Sequence, residues 1–395
     1  MGDPWLSIIG LGEDGLAGLT DASRDALARA ETVFGGPRHL ALVAAGDRGR
    51  AWSVPFDVGP VLALKGSDVA VLASGDPFWY GAGGSLAQYL EPSEWRCYTG
   101  VSTFSLSAAR LGWRIEDLAC LGLHAAPFSR MLPHLAAGRR VICLVRDGAA
   151  VAEMTDWLVQ HGQGQARLWV MEALGGPLER VRETQADGAK LPDIGALVAV
   201  AIEPVGRVTG ALPMTPGLPD ASFAHDGQIT KAPIRALTLA ALAPRPGEVL
   251  WDIGAGSGSV SVEWCRAGGR AIAVEARPDR VAHIRANVDA FGLFDQVTVV
   301  EGAAPAVLVG LAAPDAVFVG GGANQGLLQA LWDILLPGGR MVCNGVTLET
   351  EGLLAKWHSA HGGSLMRIDL AQAAPLGRMR GWAASRPVVQ WSVVK

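Results

Sequence analysis

Residues 248–259, EVLWDIGAGSGS, constrain this chain more than any other stretch. An apolar run carrying Asp252 leads into Gly254, Gly256 and Gly258 at alternate positions, and SVSVEWCRAG then has the composition of a helix. A strand that empties into a glycine turn and a helix is a place where bare backbone can lie against a ligand. Glu275 ends the next apolar run, RAIAVE, where a carboxylate can accept hydrogen bonds from ribose hydroxyls. A tight turn with no ligand is the alternative, and the agreement of strand, turn, helix and acid argues against it. Asp252 itself reads as structural.

The chain around this turn alternates strand and helix patterns. Helices are predicted over 233–242, 258–267, 278–291, 324–336 and 349–360. Strands are predicted over 248–253, 270–275, 297–301, 315–319, 340–344, 364–370 and 388–394. Such alternation predicts a doubly wound, mostly parallel sheet. The first half is α/β as well, with strands at 5–9, 68–73, 119–123, 139–145, 166–171 and 195–202 and helices after Thr20, near 128–137 and at 149–161. Between the halves, Pro204, Pro213, Pro216 and Pro219 stand among glycines, and regular elements cannot run through them. The expected organisation is therefore a domain over 1–205, a linker over 206–222 and a domain over 223–395.

Composition excludes several classes. Net charge is −5 with the signs interspersed, so no basic block marks a nucleic-acid partner. The five cysteines are scattered without C-x-x-C spacing and read as reduced thiols of a cytoplasmic protein. The apolar runs are too short to span a membrane. His358 and His361 have a helical spacing that could hold a metal, but no third ligand accompanies them, so no metal is expected.

The third glycine falls at 258, and the position a dinucleotide fingerprint would give to glycine holds Ser259. G-x-G-x-G after D-I-G, with an acid closing the next strand, resembles class I S-adenosylmethionine-dependent methyltransferases. With HDGQITKAPIRALTLAAL before the turn, and EGAAPAVL, VFVGGG and NGVTLET after it, residues 225–395 resemble the precorrin methyltransferases that act at C15 and decarboxylate an acetate side chain. The resemblance implies cofactor contacts at Thr230, Gly254, Ala255, Gly256, Ser257, Gly258, Glu275 and Ala304. Taken singly, Thr230 would be a helix cap and Ala304 core. A substrate rich in carboxylates calls for arginines. Arg378, Arg380 and Arg386 are the candidate clamp, with a solvated basic loop as the alternative.

In the first half, Gly10-Leu11-Gly12, Ser74-Gly75-Asp76-Pro77 and Gly100-Val101-Ser102 each follow a strand-like segment. In this order they resemble the tetrapyrrole methylase superfamily, a two-lobed α/β fold holding S-adenosylmethionine largely by backbone. VFGGPRHL resembles its C5-methylating subgroup. Glu13-Asp14-Gly15 departs from the turn common in that superfamily. The resemblance implies contacts at Gly10, Gly12, Ser74, Gly75, Asp76, Pro77 and Ser102. An ordinary strand–helix turn remains open for the first loop, and a turn cap for Asp76.

The two halves together resemble the bifunctional C5,15-methyltransferases of cobalamin synthesis. That resemblance implies one S-adenosylmethionine per domain and methylation of precorrin-6B at C5 and C15. It also implies decarboxylation of the C12 acetate to give precorrin-8, and a homo-oligomer, a tetramer through the C-terminal domain. The same chemistry on a cobalt-containing precursor is the rival reading. A scaffolding protein and an NAD-binding dehydrogenase are rivals of other classes.

Overall fold

The computed structural model describes residues 4–136, 138–188, 190–205 and 212–395. The chain divides into two compact units, Met1–Ala211 and Leu212–Lys395.

The first unit contains two sheets. Strands β1 (Leu6–Leu11), β2 (Thr32–Gly35), β3 (Gly49–Ala51), β4 (Val69–Ser74) and β5 (Trp95–Tyr98) form a parallel sheet ordered β3-β2-β4-β1-β5. LSIIGL and VAVLAS are apolar on both faces because helices or loops cover both sides of a parallel sheet. The helix Asp21–Arg29 starts where expected, with the Thr20 side chain accepting from Ser23 N at 3.3 Å. Strands β6 (Leu118–Gly122), β7 (Arg140–Leu144), β8 (Arg167–Glu172), β9 (Arg180–Gln185) and β10 (Val198–Glu203) form the second sheet, ordered β6-β7-β10-β8-β9. Only its β6–β7 pair is parallel. The helix expected near 128–137 is a 3-10 turn, Phe128–His134, because Pro133 withholds an amide inside it.

In the second unit, β11 (Val249–Ile253), β12 (Arg270–Glu275), β13 (Val297–Glu301), β14 (Ala316–Val319), β15 (Arg340–Gly345), β16 (Ser364–Ile368) and a last strand, Val388–Val394, make one sheet. Between these last two lies a hairpin, β17 (Ala371–Leu376) and β18 (Met379–Ala384), which pairs only with itself. With the last strand labelled β19, the order is β13-β12-β11-β14-β15-β19-β16, parallel except that β19 runs against both neighbours. One apolar core contains Trp264, Phe318 and Leu239, and another contains Trp251, Trp357 and Trp391. The chain leaves β11 for β12 on one side and meets β14 on the other. A crevice opens at such a switch point, at the carboxyl ends of the strands.

Of the proline-rich stretch expected to be a linker, residues 206–211 lie outside the described residues. Residues 212–222 pack onto the second unit: Leu218 is fully buried, and Gly217 N and Leu218 N donate to Glu263 at 2.6 and 2.9 Å. Among the described residues, no helix is long and apolar enough to cross a membrane.

Candidate active sites

At the end of β11 the amides of Gly254 and Ala255 both donate to Val274 O, at 2.9 and 3.0 Å, which folds the turn over β12. Gly254, Gly256 and Gly258 all have left-handed φ, of 68°, 61° and 71°. They differ in what surrounds them. A Cβ on Gly258 would stand 3.0 Å from Ile284, and one on Gly254 3.3 Å from Gly321 O. On Gly256 the nearest atom would be Gln228 O, at 3.7 Å. A side chain at Gly256 would thus meet its neighbours only at ordinary contact distance and one at Gly258 would crowd Ile284, while Gly254 is the exposed member of the three.

Glu275, buried at the end of β12, accepts from Gly256 N at 2.9 Å and from Arg277 N at 3.0 Å. It shapes the turn, and a carboxylate with two such bonds still has acceptor capacity for ligand hydroxyls. The buried Ser257 hydroxyl has no partner among the described residues, and its carbonyl accepts from Asn287 Nδ2 at 2.8 Å. Asp252 points the other way, with Oδ2 taking Ser261 N at 3.2 Å and Ser261 Oγ at 2.7 Å. Burial pushes its carboxyl up to about 6; the Ser261 bonds oppose this, and the charge of Glu275 adds to it.

Thr230 does not cap the helix Ala232–Leu242; Lys231 holds that position, and Thr230 is half-buried just before it. Its carbonyl accepts from Arg235, a fully buried cation that also bonds Glu263, Asp220 and Leu218 O and lies 4.7 Å over the Phe223 ring. Ala304 is half-buried beyond β13, whose last residue, Glu301, pairs with Glu275. Arg378, in the hairpin turn, and Arg380 and Arg386 are exposed and carry no ion pair among the described residues. The hairpin's base packs through Leu370, Ile368 and Val388 onto Ile234, four residues after Thr230. His361 is packed against Trp332 and Trp357, at 4.4 and 4.7 Å. Among the described residues no group of His, Cys, Asp or Glu could hold a metal.

The first unit builds its site by stacking turns. A Cβ on Gly10 would lie 1.9 Å from Gly75 O and 2.4 Å from Gly100 N, and one on Gly75 would lie 2.8 Å from Ser102 Cα. The three motifs thus converge because the ends of β1, β4 and β5 press backbone on backbone. They border a cavity of about 490 Å³ lined by Gly12, Ser74, Gly75, Asp76 and Ser102, whereas Gly10 and Pro77 lie outside its wall. Pro77 O instead accepts from Gly83 N at 3.0 Å. Asp76 closes its own turn by accepting from Phe78 N at 2.9 Å, and Ser102 caps the helix Thr103–Leu111 through Ser105 N at 3.0 Å.

The cavity also holds a polar cluster around Ser74, to whose other members, Glu13, Arg38 and His39, the sequence reading assigned no role. Arg38 pairs with Glu13, and its Nη2 donates to Ser74 Oγ at 2.9 Å and lies 2.8 Å from His39 Nε2. Burial first, and the charge of Arg38 second, lower the His39 imidazole to about 4. The signal lay in PRHL following β2 and EDG following β1, both at carboxyl ends of parallel strands.

Two α/β units, each with glycine-built backbone bared to a crevice or cavity, have the architecture of an S-adenosylmethionine-dependent C-methyltransferase. Residues 6–189 match the family of tetrapyrrole (corrin/porphyrin) methylases, and residues 221–395 match the precorrin methyltransferase domain. The chain is 47% identical to a precorrin-6Y C(5,15)-methyltransferase [decarboxylating] of Sinorhizobium sp, across 99% of this chain and 97% of that one. It is 40% identical to the protein of the same name from Mycobacterium tuberculosis, across 98% and 99%. A crystal structure of the C-terminal domain of precorrin-6Y C5,15-methyltransferase from Rhodobacter capsulatus aligns with 61% identity over 47% of this chain and 100% of that one, at a TM-score of 0.46. The chain belongs to the precorrin-6Y C(5,15)-methyltransferase (decarboxylating) family.

Proposed function

We propose that the two units are two active sites for one tetrapyrrole. Residues 1–205 methylate precorrin-6B at C5. Residues 223–395 methylate it at C15 and decarboxylate its C12 acetate, giving precorrin-8, with one S-adenosylmethionine per unit. The observation that carries this reading is the presence in one chain of two glycine-built sites of different topology, each matched by its own family.

S-Adenosylmethionine supplies an electrophilic methyl group when bound. In the second unit the fit rests on the exposed Gly254 and half-buried Gly256 of the turn, the Ser257 hydroxyl that has no partner among the described residues, and the spare acceptor capacity of Glu275. Gly254, Ala255 and Gly258 shape that turn; Thr230 follows two residues after Gln228, whose carbonyl faces Gly256, and Ala304 three residues after Glu301, which pairs with Glu275. In the first unit the fit rests on the cavity walls at Gly12, Ser74, Gly75, Asp76 and Ser102, with Gly10 and Pro77 holding those walls in place. Positioning supplies most of the acceleration in a transfer that needs only alignment and closeness. Arg378, Arg380 and Arg386 offer the substrate's carboxylates paired hydrogen bonds. Loss of carbon dioxide needs water kept from the carboxylate and a conjugated system to take its electrons. The exposed Leu376, Met379 and Trp382 of the hairpin support assembly of this unit into a homo-oligomer.

The test uses the full chain, methyl-labelled S-adenosylmethionine and precorrin-6B, with the cobalt-containing precursor offered in parallel. The expected result is two labelled methyl groups and one carbon dioxide per substrate, and two cofactor molecules bound per chain by equilibrium dialysis. Gly256→Val should bind one cofactor, add one methyl group and release no carbon dioxide. A single cofactor site in the unmodified chain, or carbon dioxide release that survives Gly256→Val, defeats the assignment.

A further inference from the structure

The reaction proposed for the first unit leaves a proton unassigned. Transfer of a methyl cation to an unsaturated carbon that bears hydrogen forms a C–C bond, and the S–C bond breaks with its electrons left on sulfur. The carbon then carries hydrogen and methyl together, and the macrocycle carries a positive charge. Breaking that C–H bond returns its electrons to the macrocycle, restores conjugation and releases a proton that a base must take.

The cavity wall holds a route for it. β2 and β4 are parallel neighbours, so their carboxyl ends bring His39 beside Ser74, with Oγ 2.9 Å from Nε2. Arg38 has only donors. It donates to Ser74 Oγ at 2.9 Å, and that oxygen keeps its own hydrogen to point at Nε2, 2.9 Å away. Nε2 has one lone pair, which takes this hydrogen, so the proton of the neutral ring is on Nδ1, and Arg38 Nη2, 2.8 Å from Nε2, stands beside it as a charge.

We infer that Ser74 and His39 form the proton path of the first unit: the Ser74 hydroxyl receives the proton leaving the methylated carbon and passes its own to His39 Nε2. This rests on the reading of the first unit as the C5-methylating site. A base as weak as this imidazole suffices because the proton leaves a cationic macrocycle, and the imidazolium then yields it readily to solvent. Glu13, paired with Arg38, offsets the second positive charge that appears while the ring is protonated. The other titratable groups on the wall are differently placed. Asp76 is engaged by Phe78 N, and Arg146 by Asp147 and Glu153. His124, whose pKa burial lowers, is the rival base.

The experiment uses the full chain and substrate carrying deuterium at C5, and follows C5 and C15 methylation separately by mass. In the unmodified chain the deuterium should not change the rate of C5 methylation. His39→Gln and Ser74→Ala should each slow it by about 100-fold and bring out a primary isotope effect, because C–H cleavage now limits. Cofactor binding to the first unit, measured by dialysis, should hold in His39→Gln. Unchanged rates, or slowing without an isotope effect, overturn the path, as does an isotope effect in His124→Gln and not in His39→Gln. A full chain that leaves C5 unmethylated overturns the assignment of the first unit, and this path with it.

Discussion

The two glycine-built sites solve one problem by different means. In the second unit the glycines alternate within one turn, and their left-handed φ is what the site needs. In the first unit Gly10, Gly75 and Gly100 come from three turns, and what matters is the absence of side chains where backbones touch. One site is local and can be altered residue by residue. The other is a tertiary contact, so altering it alters the fold.

The largest effect should therefore come from Gly10→Ala. Its Cβ would meet Gly75 O and Gly100 N, which are backbone and cannot swing away. We expect a loss on the order of 4 kcal/mol or more in the first unit, read from amide exchange of β1 and β4. C15 methylation by the second unit should survive. Retained stability would show that the turns can separate cheaply.

The next effect sets buried acids of the two units against each other. Asp252 has a folded value, about 6, above its ordinary 3.8. Its contribution is therefore full below 3.8 and is lost as the pH rises through about 6. Asp252→Asn should flatten that slope and raise the stability of the second unit at neutral pH by on the order of 3 kcal/mol. Glu172 runs the opposite way. Burial pushes its carboxyl up, but bonds from Arg180, Gly195 N and Arg182 outweigh this and hold it near about 2. Its contribution is present above 4.5 and is lost as the pH falls through about 2, and Glu172→Gln should remove it. Thermal unfolding across pH, with exchange read in each unit, checks both signs.

Gly256→Ala should cost only about 1–2 kcal/mol, the strain of a left-handed alanine whose nearest neighbour, Gln228 O at 3.7 Å, is at ordinary contact distance. Cofactor binding should nevertheless fall at one of the two sites, as dialysis would show. Smallest are Arg378→Ala and Arg380→Ala. Each exposed cation is worth at most about 1 kcal/mol, so KM for C15 methylation should rise a few-fold, less at high salt, with C5 methylation unmoved.

What the sequence made legible follows from burial. β11 and β12 read clearly because both faces of each are apolar, and the turn between them needs glycine at fixed places. β9, RVRETQ, escaped notice because it is an edge strand with charges on both faces. The hairpin escaped because AQAAPL and MRGWAA bury almost nothing and so carry no period. The cluster of Glu13, Arg38, His39 and Ser74 was invisible for another reason: its members come from three strand ends, and only the order β2-β4-β1 brings them together. The stretch 212–222 shows the same limit, since prolines mark irregular backbone without saying whether it packs.

Arg235 has a consequence of its own. One buried guanidinium serves Leu218 O, Thr230 O, Asp220 and Glu263, and so ties both ends of the irregular segment 217–230 to the helix Ala232–Leu242, while Glu263, Asn287 and Arg280 hold the segment from other helices. Such a segment has no ladder along which to fray. It opens as one cooperative unit or stays shut, and its amides should exchange at one common rate. Because Gln228 O is the nearest neighbour of a Cβ on Gly256, that rate also measures how often the segment lifts away from the glycine turn.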